Sequence, residues 1–216
     1  MTFRDRNDAG RQLAEKLQHL KERNPVVLAL PRGGVPVGFE IAQALEAPLD
    51  LVLVRKIGVP WQPELALGAV TDGDDPDVFI DRHLVAELEI PEDYITAETA
   101  RQIEELERRR LVYRAGRVPL DIAGRAAIVV DDGIATGATM HVALQATRRR
   151  NPTWLVLAAP VAAPDTLARL RPEADEVVCV ETPAGLGAIG YYYRDFHQVS
   201  DAEVTEILAR AAQPKE

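Results

Sequence analysis

Residues 128–139 read Ile-Val-Val-Asp-Asp-Gly-Ile-Ala-Thr-Gly-Ala-Thr: an apolar, β-branched run ends in two carboxylates, and small and hydroxylated residues then open a helix. Backbone N–H groups at such a helix start, with the hydroxyls of Thr136 and Thr139, can wrap a dianionic phosphate whose charge the helix dipole favours. Asp131 and Asp132 would repel that phosphate. They suit neighbouring hydroxyls, as on a ribose, or a magnesium ion reached through water. A phosphate site beside a diol site describes ribose 5-phosphate.

Two further loops leave apolar runs with unusual chemistry. Pro31-Arg32-Gly33-Gly34 follows residues 26–30; its glycines let backbone approach an oxygen closely, and Arg32 can grip phosphate bidentately. An ordinary glycine turn after a strand is the other reading. Arg55-Lys56 follows residues 49–54, and Lys56 is the one lysine between Lys21 and Lys215, read either as a ligand-facing cation or as a solvated surface residue.

Other chemistries are excluded on inventory. Serine occurs once, at Ser200, outside any G-x-S-x-G turn; no lysine follows a glycine, as a phosphate-binding Walker loop needs; H-E-x-x-H is absent. His19, His83, His141 and His197 are widely spread and read as surface or packing residues. Residues 185–190 match G-x-G-x-x-G, but Tyr191-Tyr192-Tyr193 follows instead of a helix, and the chain is nearly finished.

The elements that must position these loops alternate. Helices are expected at residues 3–20, 37–45, 94–113, 138–150 and 165–170, and strands at 26–30, 49–54, 65–70, 78–80, 126–130, 155–159 and 177–180. The pairs Glu98/Arg101, Glu104/Arg108 and Glu105/Arg109 mark the long helix as carrying a solvated face. Strands without polar alternation, separated by helices, imply an α/β fold with a parallel sheet covered on both faces. Ligands then bind at the carboxyl ends of the strands.

With 216 residues, 25 basic and 34 acidic, the chain carries a net charge of −9, so no overall field draws in nucleic acid or an anionic membrane. The lone Cys179 excludes an internal disulfide and reads as a strand residue in a reduced compartment. A charged start and the lack of a long apolar run place the chain in the cytoplasm by expectation.

Residues 128–140 resemble the 5-phosphoribosyl 1-pyrophosphate (PRPP) motif of type I phosphoribosyltransferases, an apolar strand, two acids, then Thr-Gly-x-Thr. The wider chain, including Phe3-Arg4-Asp5-Arg6-Asn7-Asp8-Ala9-Gly10, is similar to a branch of that family designated predicted phosphoribosyltransferases. The resemblance implies a Rossmann-like parallel-sheet core with a small hood, in a single domain over residues 1–216. The hood would come from the N-terminal helix and parts of 58–93 and 185–200. It implies transfer of the 5-phosphoribosyl group from Mg2+-bound PRPP to a nitrogenous base, with pyrophosphate released, by a homodimer. Asp131 and Asp132 become the ribose acids, and Ala135, Thr136, Gly137, Ala138 and Thr139 the 5-phosphate cradle. Arg32, Gly33 and Gly34 meet the pyrophosphate, with Lys56 beside it. Hypoxanthine-guanine members place an aspartate where this chain has Ala135, and adenine members have alanine; the departure weakens the former assignment. Tyr191 and Tyr193 are candidates to stack on the base, against plain packing of a terminal segment. Residues 58–93, with the acidic run Asp72-Gly73-Asp74-Asp75-Pro76-Asp77, are expected to hold a lid, and Glu64 is the candidate acid-base group. A PRPP-sensing regulator without catalysis is the alternative.

Overall fold

The computed structural model describes residues 2–72, 78–114 and 118–212. Helix α1 (Arg6–Leu17), capped by the Asp5 carboxylate, leads through a 3-10 turn into strand β1 (Val26–Ala29). Helix α2 (Gly34–Leu45) and strand β2 (Leu49–Leu51) follow. After a long intervening segment come β6 (Ala126–Val130), α5 (Ala138–Arg149), β7 (Trp154–Val161), α6 (Pro164–Leu170) and β8 (Glu176–Glu181). These strands form one sheet in the order β2-β1-β6-β7-β8, every pair parallel. All residues of β1 and β6 are fully buried, as expected for strands covered on both faces.

The chain builds outward from β1 to β2 and then reverses to add β6, β7 and β8 on the other side. The switch point therefore lies between β1 and β6, whose register pairs Ala29 with Val130. A crevice at such a point is where an open parallel sheet binds ligands. Both unusual loops leave the sheet there, one after each strand.

The intervening segment corrects the expected single strand at residues 49–54. Backbone pairing with β1 ends near Val52, whose N–H donates to the Ala29 carbonyl, and Val54 starts a separate antiparallel sheet. The apolar run is unbroken because Val52 and Leu53 are buried too, so composition cannot mark the change of sheet. That sheet is β3 (Val54–Val59), β4 (Gln62–Thr71) and β5 (Val78–Ile80). Short α3 (Arg82–Glu87) and long α4 (Glu92–Arg114) complete the insertion. A last helix, α7 (Asp201–Ala211), was not expected; its start is a capping box in which Ser200 and Glu203 satisfy each other's backbone. Among the described residues no helix is long and apolar enough to cross a membrane.

Candidate active site

The loop after β1 and the loop after β6 touch. The Leu30 N–H donates to the Val130 carbonyl at 2.9 Å, which draws residues 31–34 over the end of β6. A Cβ on Gly33 would lie 2.0 Å from the Asp132 carboxylate, and one on Gly34 would lie 2.6 Å from the Val130 carbonyl oxygen. Only glycine permits this approach. The Pro31–Arg32 peptide bond is cis.

The two acids have different surroundings. Asp131 lines a cavity of about 630 Å3 beside the switch point, together with Pro31, Lys56 and Thr139. At Asp132, Arg6 Nε donates to Oδ2 at 2.7 Å in a pair nearly closed to water. Arg6 is itself held by the His197 carbonyl and lies over the Phe196 ring. The two expected ribose acids thus differ in setting: Asp131 lines the cavity, and the Asp132 carboxylate is engaged by an arginine from α1. Burial, with the neighbouring Asp132 charge, pushes Asp131 well above the usual carboxylate range. Burial also raises Asp132, although Arg6 opposes the shift.

Beyond the acids, Ile134 is tied to β7 through the Val161 carbonyl, and Ala135 and Thr136 are exposed. Thr166 donates to the Ala135 carbonyl at 2.8 Å and Arg169 to that of Thr136 at 3.3 Å, so α6 holds the loop from behind. Gly137 is the N-cap of α5 with φ of +82°, a conformation that suits glycine. Thr139 is exposed in the first turn, on the cavity side. The loop thus leaves Ala135, Thr136 and Thr139 exposed at the start of α5.

Opposite this floor, β3 and α4 wall the cavity. Lys56 lies on β3 and lines it, as does its neighbour Arg55. Helix α4 has the expected solvated face, with Glu104 and Arg108 exposed, and a covered stripe as well: Glu98 is 8%, Gln102 7% and Leu106 1% exposed, and with Tyr94, Arg101 and Arg109 they line the cavity. The i, i+4 charge spacing was visible, but the burial of that stripe comes from packing on β3, which helical spacing alone cannot report. Arg55 Nε donates to Gln102 Oε1 at 2.8 Å, and Gln102 donates to Glu98 at 2.6 Å.

Other expected residues are placed apart. The Arg32 guanidinium is 3.6 Å from Asp201 of α7, which also accepts from the Tyr113 hydroxyl at 2.6 Å, so this side chain is engaged by a helix the sequence reading lacked. Tyr193 is 1% exposed, tilted against Phe3, with its hydroxyl donating to the Asp132 carbonyl; it supports the acid loop and is not open to stack on a base. Tyr191 is exposed. The backbone of Glu64 falls in β4, but its side chain lies outside the described residues, as do residues 73–77 of the expected lid. Cys179 is mostly covered, and burial pushes its thiol up to about 11. Among the described residues no cluster of three or more His, Cys, Asp or Glu is set to cage a metal ion.

Known proteins bear on this geometry. The TT1426 protein from Thermus thermophilus superposes with a TM-score of 0.89 at 43% identity, over 99% of this chain and 100% of that one. A provisionally designated phosphoribosyl transferase of Mycobacterium tuberculosis is 48% identical over 97% of this chain and 47% of its own length. The chain thus spans about half the length of the curated relatives it matches. The phosphoribosyl transferase domain profile matches residues 78–194, which take in β6, the acid loop and the start of α5. By that match, over more than half of its length, the chain belongs to the phosphoribosyl transferase family.

Proposed function

We propose that this chain binds Mg2+-PRPP at the switch-point crevice and transfers its 5-phosphoribosyl group to a nitrogenous base, releasing pyrophosphate. The observation that supports the reading is that Asp131, Thr139, Lys56 and Pro31 line one crevice, with the glycine backbone at residues 33–34 packed against the acid loop. Residues 135–139 hold the 5-phosphate through the amides of the α5 start and the hydroxyls of Thr136 and Thr139. Asp131 accepts from a ribose hydroxyl. Its raised affinity for a proton, caused by burial and by Asp132, is the signature of a carboxylate that gains from a nearby cation or donor. Backbone at Gly33 and Gly34 approaches the leaving group, and Lys56 stabilises the charge that develops on it. A magnesium ion shared between Asp131 and the substrate's oxygens would add charge neutralisation at the same place. Arg32 joins only by leaving Asp201. A homodimer in the cytoplasm belongs to the same reading.

The test is calorimetric titration with Mg2+-PRPP and with ribose 5-phosphate, joined to a pyrophosphate-release assay over a panel of nucleobases. Release with one base supports transfer. PRPP binding without release from any base supports the sensor instead, and absence of PRPP binding refutes both. Lys56→Ala should cut turnover far more than affinity for ribose 5-phosphate, which lacks the pyrophosphate.

A further inference from the structure

On the cavity wall made by β3 and α4, the Arg55 guanidinium is bonded to a neutral side chain. Glu98 accepts from Gln102 on one oxygen and from Arg101 on the other, both at 2.6 Å, so both its oxygens are engaged within the helix. Gln102 in turn accepts from Arg55 Nε at 2.8 Å, a neutral partner. Among the described residues, no carboxylate lies within ion-pair distance of the Arg55 guanidinium. Arg55 lines the cavity. Half-burial and the neighbouring Arg109, which is itself paired with Glu105, lower the proton affinity of Arg55, with the Glu105 and Glu98 charges opposing the shift. A planar guanidinium that lines a cavity and is anchored through Nε has further donors with which to meet the two oxygens of a carboxylate or phosphate.

The rest of this wall suits a flat ring. Leu106 and residues 52–54 give apolar surface, and Tyr94, whose hydroxyl donates to the Gly58 carbonyl at 2.8 Å, has its ring fixed at the cavity edge. In the transferase reading the leaving group is served by Lys56 of β3 and by the glycine loop across the cavity, which leaves the α4 side of the wall for the other reactant. Resting on the transferase reading above, we propose that the α4 wall is the acceptor subsite and that Arg55, aimed by the Arg101–Glu98–Gln102 chain, selects a nitrogen heterocycle bearing an acidic group. Arg55 touches the acceptor; Glu98 and Gln102 are positioning residues. A neutral purine would leave the guanidinium buried without an anion, which is a cost that an acidic ring removes.

The test uses pairs of rings that differ by the acid: nicotinate against nicotinamide, and orotate against uracil. Each is titrated calorimetrically into the full chain loaded with ribose 5-phosphate. In at least one pair the acidic member should bind about tenfold tighter or better, the scale of one charge-assisted hydrogen bond. Arg55→Ala should erase that preference and leave the affinity for ribose 5-phosphate unchanged. Gln102→Leu, which frees the guanidinium without removing it, should reduce the preference in part, and Arg55→Lys should retain some of it. Circular dichroism and the retained ribose 5-phosphate binding show that each variant folds. Equal binding within both pairs, tighter binding of the neutral members, or no binding of any member overturns the proposal. So does an Arg55→Ala chain that keeps the preference but loses affinity for inorganic pyrophosphate, which assigns Arg55 to the leaving group. Failure of the unaltered chain to bind ribose 5-phosphate would instead sink the transferase reading beneath it.

Discussion

Gly33 and Asp132 are pressed together so closely that a Cβ at position 33 would sit 2.0 Å from the Asp132 Oδ2 atom. That oxygen is the one Arg6 binds, so the glycine loop, the acid loop and α1 meet at a single carboxylate. Gly33 has φ of −63°, an ordinary value, and its constraint is one of space.

Gly33→Ala should therefore act through Asp132. The added methyl must displace a carboxylate that Arg6 holds, a form of overpacking that costs about 1–3 kcal/mol. The expected result is a lower Tm and weaker PRPP binding. Adding Asp132→Ala should then cost less in the Gly33→Ala background than in the unaltered chain, which a double-mutant cycle of thermal melts measures. Additive effects would separate the two loops.

The two acids should answer substitution differently. Asp131→Asn lies at the cavity and should weaken Mg2+-PRPP binding by roughly 1.5–3 kcal/mol with little change in Tm. Asp132→Asn, and more so Arg6→Ala, breaks a nearly closed ion pair, which costs on the order of 3–5 kcal/mol of stability when one charge is left alone. Urea unfolding alongside PRPP titration distinguishes them; equal Tm losses for Asp131→Asn and Asp132→Asn would contradict the division.

Stability of the C-terminal segment should depend on pH in a defined window. His197 bonds both Glu203 and Asp195, and those partners raise its proton affinity above the ordinary 6.5. A raised histidine contributes its stability in full below 6.5 and loses it as pH climbs through the folded value. Glu203, lowered from 4.5 to about 2 chiefly by the Ser200 backbone N–H, contributes above 4.5 and loses its share as pH falls toward 2. The α7 cap is thus strongest between about 4.5 and 6.5. Hydrogen exchange of the α7 amides should quicken from pH 6 to pH 8, beyond the intrinsic rate change, and the effect should vanish in His197→Ala.

The site was legible in sequence wherever chemistry and backbone coincided. Val26 to Leu30 and Ala126 to Val130 are apolar throughout because both sheet faces are covered, and the glycines and acids that follow them announce their loops. Side-chain partners from distant elements were not legible. Arg6 to Asp132 spans 126 residues, and Arg32 to Asp201 joins a loop to a helix whose Ser200–Glu203 capping box was present but unread. The covered stripe of α4 was not legible for a related reason. Charges at i, i+3 and i, i+4 describe a helix equally well whether water or β3 lies against them, and only the packing of Leu106, Gln102 and Glu98 decides between the two.

Gly137 offers the most direct test of the phosphate cradle. It combines a left-handed backbone, φ +82°, with a Cβ position only 2.8 Å from Thr166 Cγ2, so alanine there meets both strain and a clash with the helix that supports the loop. Gly124 shares the first property, with φ +74°, but has nothing within 4 Å of its Cβ position. Left-handed backbone costs an alanine about 1–2 kcal/mol at either position. Gly124→Ala should lower stability by that amount and leave ribose 5-phosphate and inorganic phosphate affinities unchanged. Gly137→Ala should lose more stability and also weaken both ligands, because shifting the N-cap turns the first amides of α5 away from the phosphate. Thermal melts and phosphate titrations on the two variants, side by side, check this. If Gly137→Ala keeps full phosphate affinity, residues 135–139 do not form the cradle.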